Sequence, residues 1–483
     1  MQKGGGFLSD FAYPYAANLV RVRDALRVKE SFDLLEKKIR LGERQAAFFC
    51  VDGFIKDEMF EKVLEHFCKL TEKQLKEAPD ADAFLDAYVT YIEAQTTDKL
   101  DVFVSMVLSG AVGMVAEGFD KALILDPRTY PSRAIEEPES DRLLRGPHEG
   151  FVETLVCNTA LIRRRIRDPQ LTVRLWQIGR RSRTDVVVCY LDDKVNRRHL
   201  RALEQKLAAI RVDALALGQE SLRECLLPGQ IWNPFPRFRY TERPDTAAAC
   251  LYDGNVIVLV DGTPSALIVP TGIFDFIQDI NDYYFTPFIG TFFKFVRGFM
   301  FLLSLLFVPT WYVLSLHHTL LSERLWFIFV NHPNGVSIFF QLIVSEFLID
   351  MLRLASLNTP NVLSNSFAVI GALVLGEFGV SSGLFVHEVV MFMAFTSISN
   401  FVLPSFELGF SVKYCRMLLL TLTYMFDFWG FFAGLLVIVL VVCFTKTIEG
   451  YTYLYPLIPF DKDALVSALF RRRIRVKQNN RRL

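Results

Sequence analysis

A 483-residue chain with 53 Lys plus Arg, 53 Asp plus Glu and no net formal charge sets up no global field that would recruit nucleic acid or an acidic substrate. Its residues are 52% hydrophobic and its mean hydropathy is +0.28, high for a wholly soluble chain. The eight cysteines, at 50, 68, 157, 189, 225, 250, 415 and 443, form no C-x-x-C pair, which argues against a disulfide or metal framework and for a reduced, intracellular setting.

The opening "MQKGGGFLSDFAYPY" has no continuous apolar core ending at a small-residue cleavage site. No secretory signal is evident there, and residues 1–30 read as an N-terminal extension. From residue 31 to 130 helical periodicity alternates with buried-strand runs, "AAFFCV" at 46–51 and "ALILD" at 122–126, which predicts a small α/β subdomain. Residues 131–150 replace periodicity with Pro, Gly, Ser and charges and read as a linker. A second α/β subdomain is predicted over 151–285. It holds a helix at 151–169, a strand pair at 171–179 and 184–191 joined by "RRSR", a helix near 196–210, a strand near "IRVDAL" and a helix from Gly218. It closes with a hairpin over 254–270 turning at Asp261-Gly262. Cys50, Cys189 and Cys250 fall in strand-like runs, where a thiol behaves as a small hydrophobe.

Residues 286–447 are dense in Phe, Leu, Val and Ile and predict an all-α transmembrane domain of four or five helices. Apolar blocks lie at 288–316, 336–357, 362–380, 384–402 and 417–445. With the N-terminal region and the basic tail 448–483 both cytoplasmic, the number of crossings is even. That favours four spans, leaves block 336–357 interfacial or pore-facing, and puts Lys413 and Arg416 on the far side. The last thirteen residues carry seven Lys or Arg and no acid; they either touch anionic head groups or are simply solvated.

No P-loop, G-x-G-x-x-G, G-x-S-x-G or H-E-x-x-H motif is present, so no catalytic residues, cofactor or metal site are predicted and the protein reads as a non-enzyme. His317 and His318 read as interfacial residues rather than metal ligands. The Arg clusters at 163–167, 180–183 and 197–201 lack an aromatic stacking platform, and solvated faces or subunit contacts are preferred to nucleic acid.

Block 336–357 is different. Glu346, Asp350 and Arg353 follow at spacings of four and three, so on a helix they share one face. A charge facing lipid at mid-membrane costs about 2.5–3.5 kcal/mol on insertion scales, and this face should therefore meet protein or water. Two readings stay open: an Arg353–Asp350 bridge that fixes an interfacial helix, or a carboxylate row lining a cation pathway once copies close into a ring. Glu377 and Asp427 are further intramembrane acids with a packing or cavity role. Ala368, Ala372 and Gly376, at four-residue spacing, predict close approach by another backbone.

The ordered motifs "GPHEGFVETLVCNTALIRRRIRDPQL", "GRRSRTDVVVCYLDD", "NPFPRFRYTERPD", "VIVLVDGTPSALIVP", "LPSFELGFSVKYCRMLLL" and "YLYPLIPF" resemble the GerA spore germination receptor family, A-subunit type, over about residues 31–469. The resemblance implies a multi-pass protein of the spore inner membrane in ring-shaped oligomers, pentamers by preference, that conduct ions during germination. It also implies partners: other germination proteins and, in one auxiliary branch, a small membrane protein with which the ring amplifies release of monovalent cations. A scaffold or a solute transporter subunit is the alternative; no internal repeat of the transporter kind is found in the membrane half.

Overall fold

The computed structural model describes residues 11, 14–55, 57–89, 93–128, 146–227, 232–317, 330, 335–357, 371, 373–448, 450 and 452–471. The predicted linker core 131–145, His318, Ala368, Ala372 and the tail beyond 471 lie outside them. The chain forms two compact units, Met1–Pro228 with Tyr240–Pro270, and Gly229–Arg239 with Thr271–Leu483.

The first unit repeats one topology. α1 (Tyr15–Leu26) precedes β1 (Leu34–Leu41) and β2 (Arg44–Val51). Then come α2 (Asp57–Cys68), α3 (Glu72–Glu77), α4 (Ala81–Tyr88), β3 (Ala94–Thr97), α5 (Leu100–Leu108), β4 (Val112–Ala116) and β5 (Ala122–Leu125), in a sheet ordered β1-β2-β4-β5-β3. The second half begins with α6 (Leu155–Arg165), β6 (Leu171–Ile178) and β7 (Thr184–Leu191). α7 (Arg197–Ala209), α8 (Gln219–Leu226), β8 (Arg239–Thr241), α9 (Pro244–Tyr252), β9 (Val256–Val260) and β10 (Ala266–Val269) follow, ordered β6-β7-β9-β10-β8. Both sheets thus run first-second-fourth-fifth-third.

Period-2 alternation explains the continuous apolar run of β2. Ala47, Phe49 and Val51 face the core that includes α5, while Ala46, Phe48 and Cys50 face the core that includes Phe67 and Phe84 of α2 and α4. Burial pushes the Cys50 thiol up to about 12 and raises that of Cys189 as well, so both act as hydrophobes. Gly113 is required where α5 crosses the sheet, because a Cβ there would stand 2.3 Å from the Phe103 ring.

Three expectations need correction in this unit. Residues 210–215 form no strand; instead the carbonyls of Val212 and Asp213 accept from the amides of Arg180 and Arg181, lacing the segment to the basic turn. Cys250 lies in α9, not a strand. Arg163, first of the "RRRIR" cluster, is no solvated side chain: it is fully buried, and its Nε and Nη2 donate to Asp33 Oδ2 and Oδ1 at 2.9 and 3.0 Å. Its Nη2 also reaches Leu171 O at 3.0 Å. Because Phe32 N donates to Val173 O at 3.0 Å and Ser31 Oγ to Leu171 O, this pair clamps the start of one half onto the first strand of the other.

The second unit opens with α10 (Asn281–Tyr284), α11 (Pro287–Leu316) and α12 (Ile338–Leu357). A π-helical turn, Leu373–Phe378, leads into α13 (Gly379–Ser381), and α14 (His387–Phe401), α15 (Phe406–Phe444) and α16 (Lys462–Leu469) complete it. α11 and α15 are the two helices, among the described residues, long and apolar enough to cross a membrane.

α15 is not a straight rod. Asp427, at φ 51° and ψ −136°, interrupts its helical backbone, and the two legs fold back on one another. A Cβ on Gly430 would stand 1.9 Å from the Leu422 carbonyl oxygen, and one on Gly434 2.9 Å from Leu419. At the other end Thr445 accepts from Asn233 and Ser411 donates to the Pro234 carbonyl, so both leg ends meet the same short segment. A straight 39-residue helix would measure about 58 Å, whereas legs of about 31 and 25 Å each match one hydrocarbon thickness. The expected single span at 417–445 is therefore replaced by a hairpin over 406–444, with Lys413 and Arg416 inside its first leg.

Asp33→Asn is expected to cost about 3–5 kcal/mol by stranding a buried guanidinium, read as a lower guanidinium midpoint. Asp33→Leu with Arg163→Met should recover most of that loss; a single variant without effect would remove the clamp. For the hairpin, spin labels at the exposed Leu418 and Leu440 should lie under about 20 Å apart. A continuous rod would hold them about 33 Å apart.

Candidate functional site

The polar face of α12 points into the helical unit. Gln341 spans a helix end, its Nε2 donating to Val336 O and its Oε1 accepting from Val386 N, both at 2.8 Å. One turn on, Glu346 accepts from Arg416 Nε at 2.6 Å, and Arg416 Nη1 in turn donates to Ser304 O at 2.6 Å and Ser304 Oγ at 3.2 Å. Both charged side chains are buried, at 4% and 3% exposure. Asp350 pairs with Lys413, whose ammonium also sits 5.0 Å from the Tyr414 ring centre. The Arg353 guanidinium lies 4.8 and 5.0 Å from the rings of Phe401 and Phe410.

These contacts also give directions. Phe339 stacks on Tyr424 at 4.3 Å, Glu346 meets Arg416 and Arg353 meets Phe410, so α12 runs antiparallel to the first leg of α15. α11 runs parallel to that leg, Ser304 meeting Arg416 and His317 meeting Asp427. The result is a five-charge layer held by three helices, in which acids four apart on α12 face cations three apart on α15.

Of the polar face that was expected to meet protein or water, Glu346 meets protein, enclosed within its own chain, and Asp350 bridges to Lys413 in place of the Arg353 bridge considered above. Asp350, with its side chain 25% exposed, is the one carboxylate of the layer that keeps contact with the surroundings, and its counter-ion is Lys413. Asp427 is not mid-bundle but at the hairpin tip, where its carboxylate meets His317 Nε2 at 2.9 Å. Glu377 is exposed on the π-helical turn. A Cβ on Gly376 would meet nothing within 4 Å, so no backbone among the described residues approaches there.

Lys413 and Arg416 were missed as site residues because block edges drawn at 417 left them outside the apolar run. The matching spacing of two acids and two cations was the readable signal.

The Bacillus/Clostridium GerA spore germination protein family model matches residues 23–483. Stage V sporulation protein AF of Bacillus subtilis (strain 168) is 34% identical over 442 residues, 91% of this chain and 89% of that protein. Spore germination protein KA of the same organism is 26% identical, covering 92% and 82%, and spore germination protein GerLA of Bacillus cereus 28%, covering 81% and 80%. Among solved structures, the N-terminal domain of the A subunit of the Bacillus megaterium spore germinant receptor GerK3 aligns over 55% of this chain and 97% of its own length, at 23% identity and a TM-score of 0.42. The chain belongs to the GerA spore germination protein family.

Proposed function

We propose that this protein is a membrane subunit of the spore germination machinery whose copies close into a ring, a pentamer by preference, and pass monovalent cations out of the spore. The first unit and the basic tail lie in the cytoplasm, and the helical unit crosses the spore inner membrane. It works with other germination proteins, a small membrane partner among them.

The observation that carries this reading is the charged layer. Five ionisable groups are kept in an apolar bundle, at a cost that packing alone does not require. One of them, Asp350, is partly open, and its carboxylate can exchange the Lys413 ammonium for a passing cation. Glu346 and Arg416 frame the layer, and Asp350, Lys413 and Arg353 sit beside the path. The hairpin supports the topology, since its two legs return the chain to the side from which it left. A scaffold is the second reading, favoured by the neutralisation of both acids within one chain.

Potassium release from proteoliposomes of the full-length protein separates the two. Asp350→Asn is expected to lower flux several-fold with assembly intact, and unchanged flux and selectivity would take Asp350 out of the path. Absence of any flux from an intact oligomer would favour the scaffold. Glu346→Gln should act on stability instead, costing about 3–5 kcal/mol by leaving Arg416 buried without its counter-ion, read as a lower unfolding temperature in detergent.

A further inference from the structure

The base of α11 holds a second cluster of charges that the conduction reading does not use. Gly298 to Leu316 contains no charged residue and is long enough, at about 28 Å, to fill the hydrocarbon core. The ten residues before it extend beyond that core, and they carry Lys294 and Arg297, buried at 6% and 7% exposure.

Arg297 is spoken for: its Nη1 donates to Asp282 Oδ2 at 2.8 Å. Among the described residues Lys294 has no carboxylate in hydrogen-bond contact. Its Nζ donates to Ser467 O at 3.1 Å and lies 5.2 Å from the Tyr283 ring centre. Arg471, just beyond α16, is drawn into the same place, its Nη2 donating to Tyr283 O at 2.6 Å and its amide to Thr291 Oγ1 at 3.2 Å. Gly290 makes room for it, since a Cβ there would stand 2.8 Å from Arg471 Cδ.

Two further donors of that guanidinium, Nε and Nη1, are shielded from solvent and have no hydrogen-bond partner among the described residues. Arg297, Arg471 and Asp282 all lie within electrostatic reach of Lys294. The next acid, Asp279, bonds to Asn281 N and Nδ2. Three cations thus face one buried carboxylate and one nearby acid, with guanidinium donors left over, which is the chemistry of a missing anion.

The surroundings say which anion. Phe288, Phe292, Phe295 and Phe299, at 84%, 58%, 50% and 60% exposure, cover the outer surface of α11 at this level, an exposed apolar strip that suits acyl chains rather than water. We infer that Lys294 and Arg471 bind the phosphodiester of an anionic phospholipid, whose acyl chains lie against these rings. The inference rests on the reading that α11 crosses the membrane. It adds that the C-terminal segment docks through a lipid.

Purified full-length protein is reconstituted in nanodiscs of phosphatidylcholine with or without phosphatidylglycerol, extracted, and examined by native mass spectrometry. Phosphatidylglycerol should be retained, and Arg471→Gln and Lys294→Gln should each reduce retention about fivefold. A matched rise in unfolding temperature with phosphatidylglycerol, absent in Arg471→Gln, is the second readout. Equal protection by inorganic phosphate in pure phosphatidylcholine would show an anion site that is not a lipid site and overturn the assignment. Equal retention in wild type and Arg471→Gln would also overturn it. Because the readout is bound lipid, absence of flux from an intact oligomer with normal lipid retention counts against the conduction reading alone.

Discussion

The Glu346–Arg416 pair, completed by the Ser304 carbonyl and hydroxyl, is the constraint on which the helical unit depends. A guanidinium and a carboxylate buried together in apolar surroundings tolerate few arrangements, since either alone would carry a desolvation penalty of several kcal/mol. Meeting that demand sets the depth of α12 against the first leg of α15 and of both against α11, because all three contribute to one hydrogen-bonded cluster. Asp350 with Lys413 and the ring contacts of Arg353 then follow at successive turns.

The α/β unit obeys a comparable constraint at Asp33 and Arg163. Each half has its own sheet and its own apolar layers, yet a fully buried, doubly hydrogen-bonded ion pair joins them. The repeated strand order means that α1 and α6 occupy corresponding positions, each packed beside the helix that follows its third strand. The clamp joins two copies of one plan.

Much of this architecture was legible in the sequence because burial writes itself as periodicity. β2, β5, β6, β7 and the β9–β10 hairpin follow their apolar runs closely, with Gly262 at φ 76° supplying the turn. Elements set by distant partners were not legible. β1 and β3 carry too many polar residues to read as strands, and 210–215 resembles a strand but spends its carbonyls on a neighbouring turn. In the helical unit, hydropathy registers an unbroken apolar stretch but not a reversal of direction, and so the fold at Asp427 was invisible. The acidic spacing of α12 was readable, but the identity of its counter-ions needed the packing of another helix.

On the proposed membrane reading, the reversal at Asp427 bears on how this chain would enter a bilayer. The first leg contains Lys413 and Arg416, residues that resist partitioning when presented singly, whereas the second leg, rich in Leu, Val, Ile and Phe, gains about 0.3–0.6 kcal/mol for each such side chain. Tied together at Gly430 and Gly434, the greasy leg would escort the charged one, and the acids of α12 would receive the cations on arrival. Biogenesis on this reading would be cooperative between neighbouring segments, and a lesion that uncouples the two legs would surface as failed insertion rather than as a defect in the finished protein.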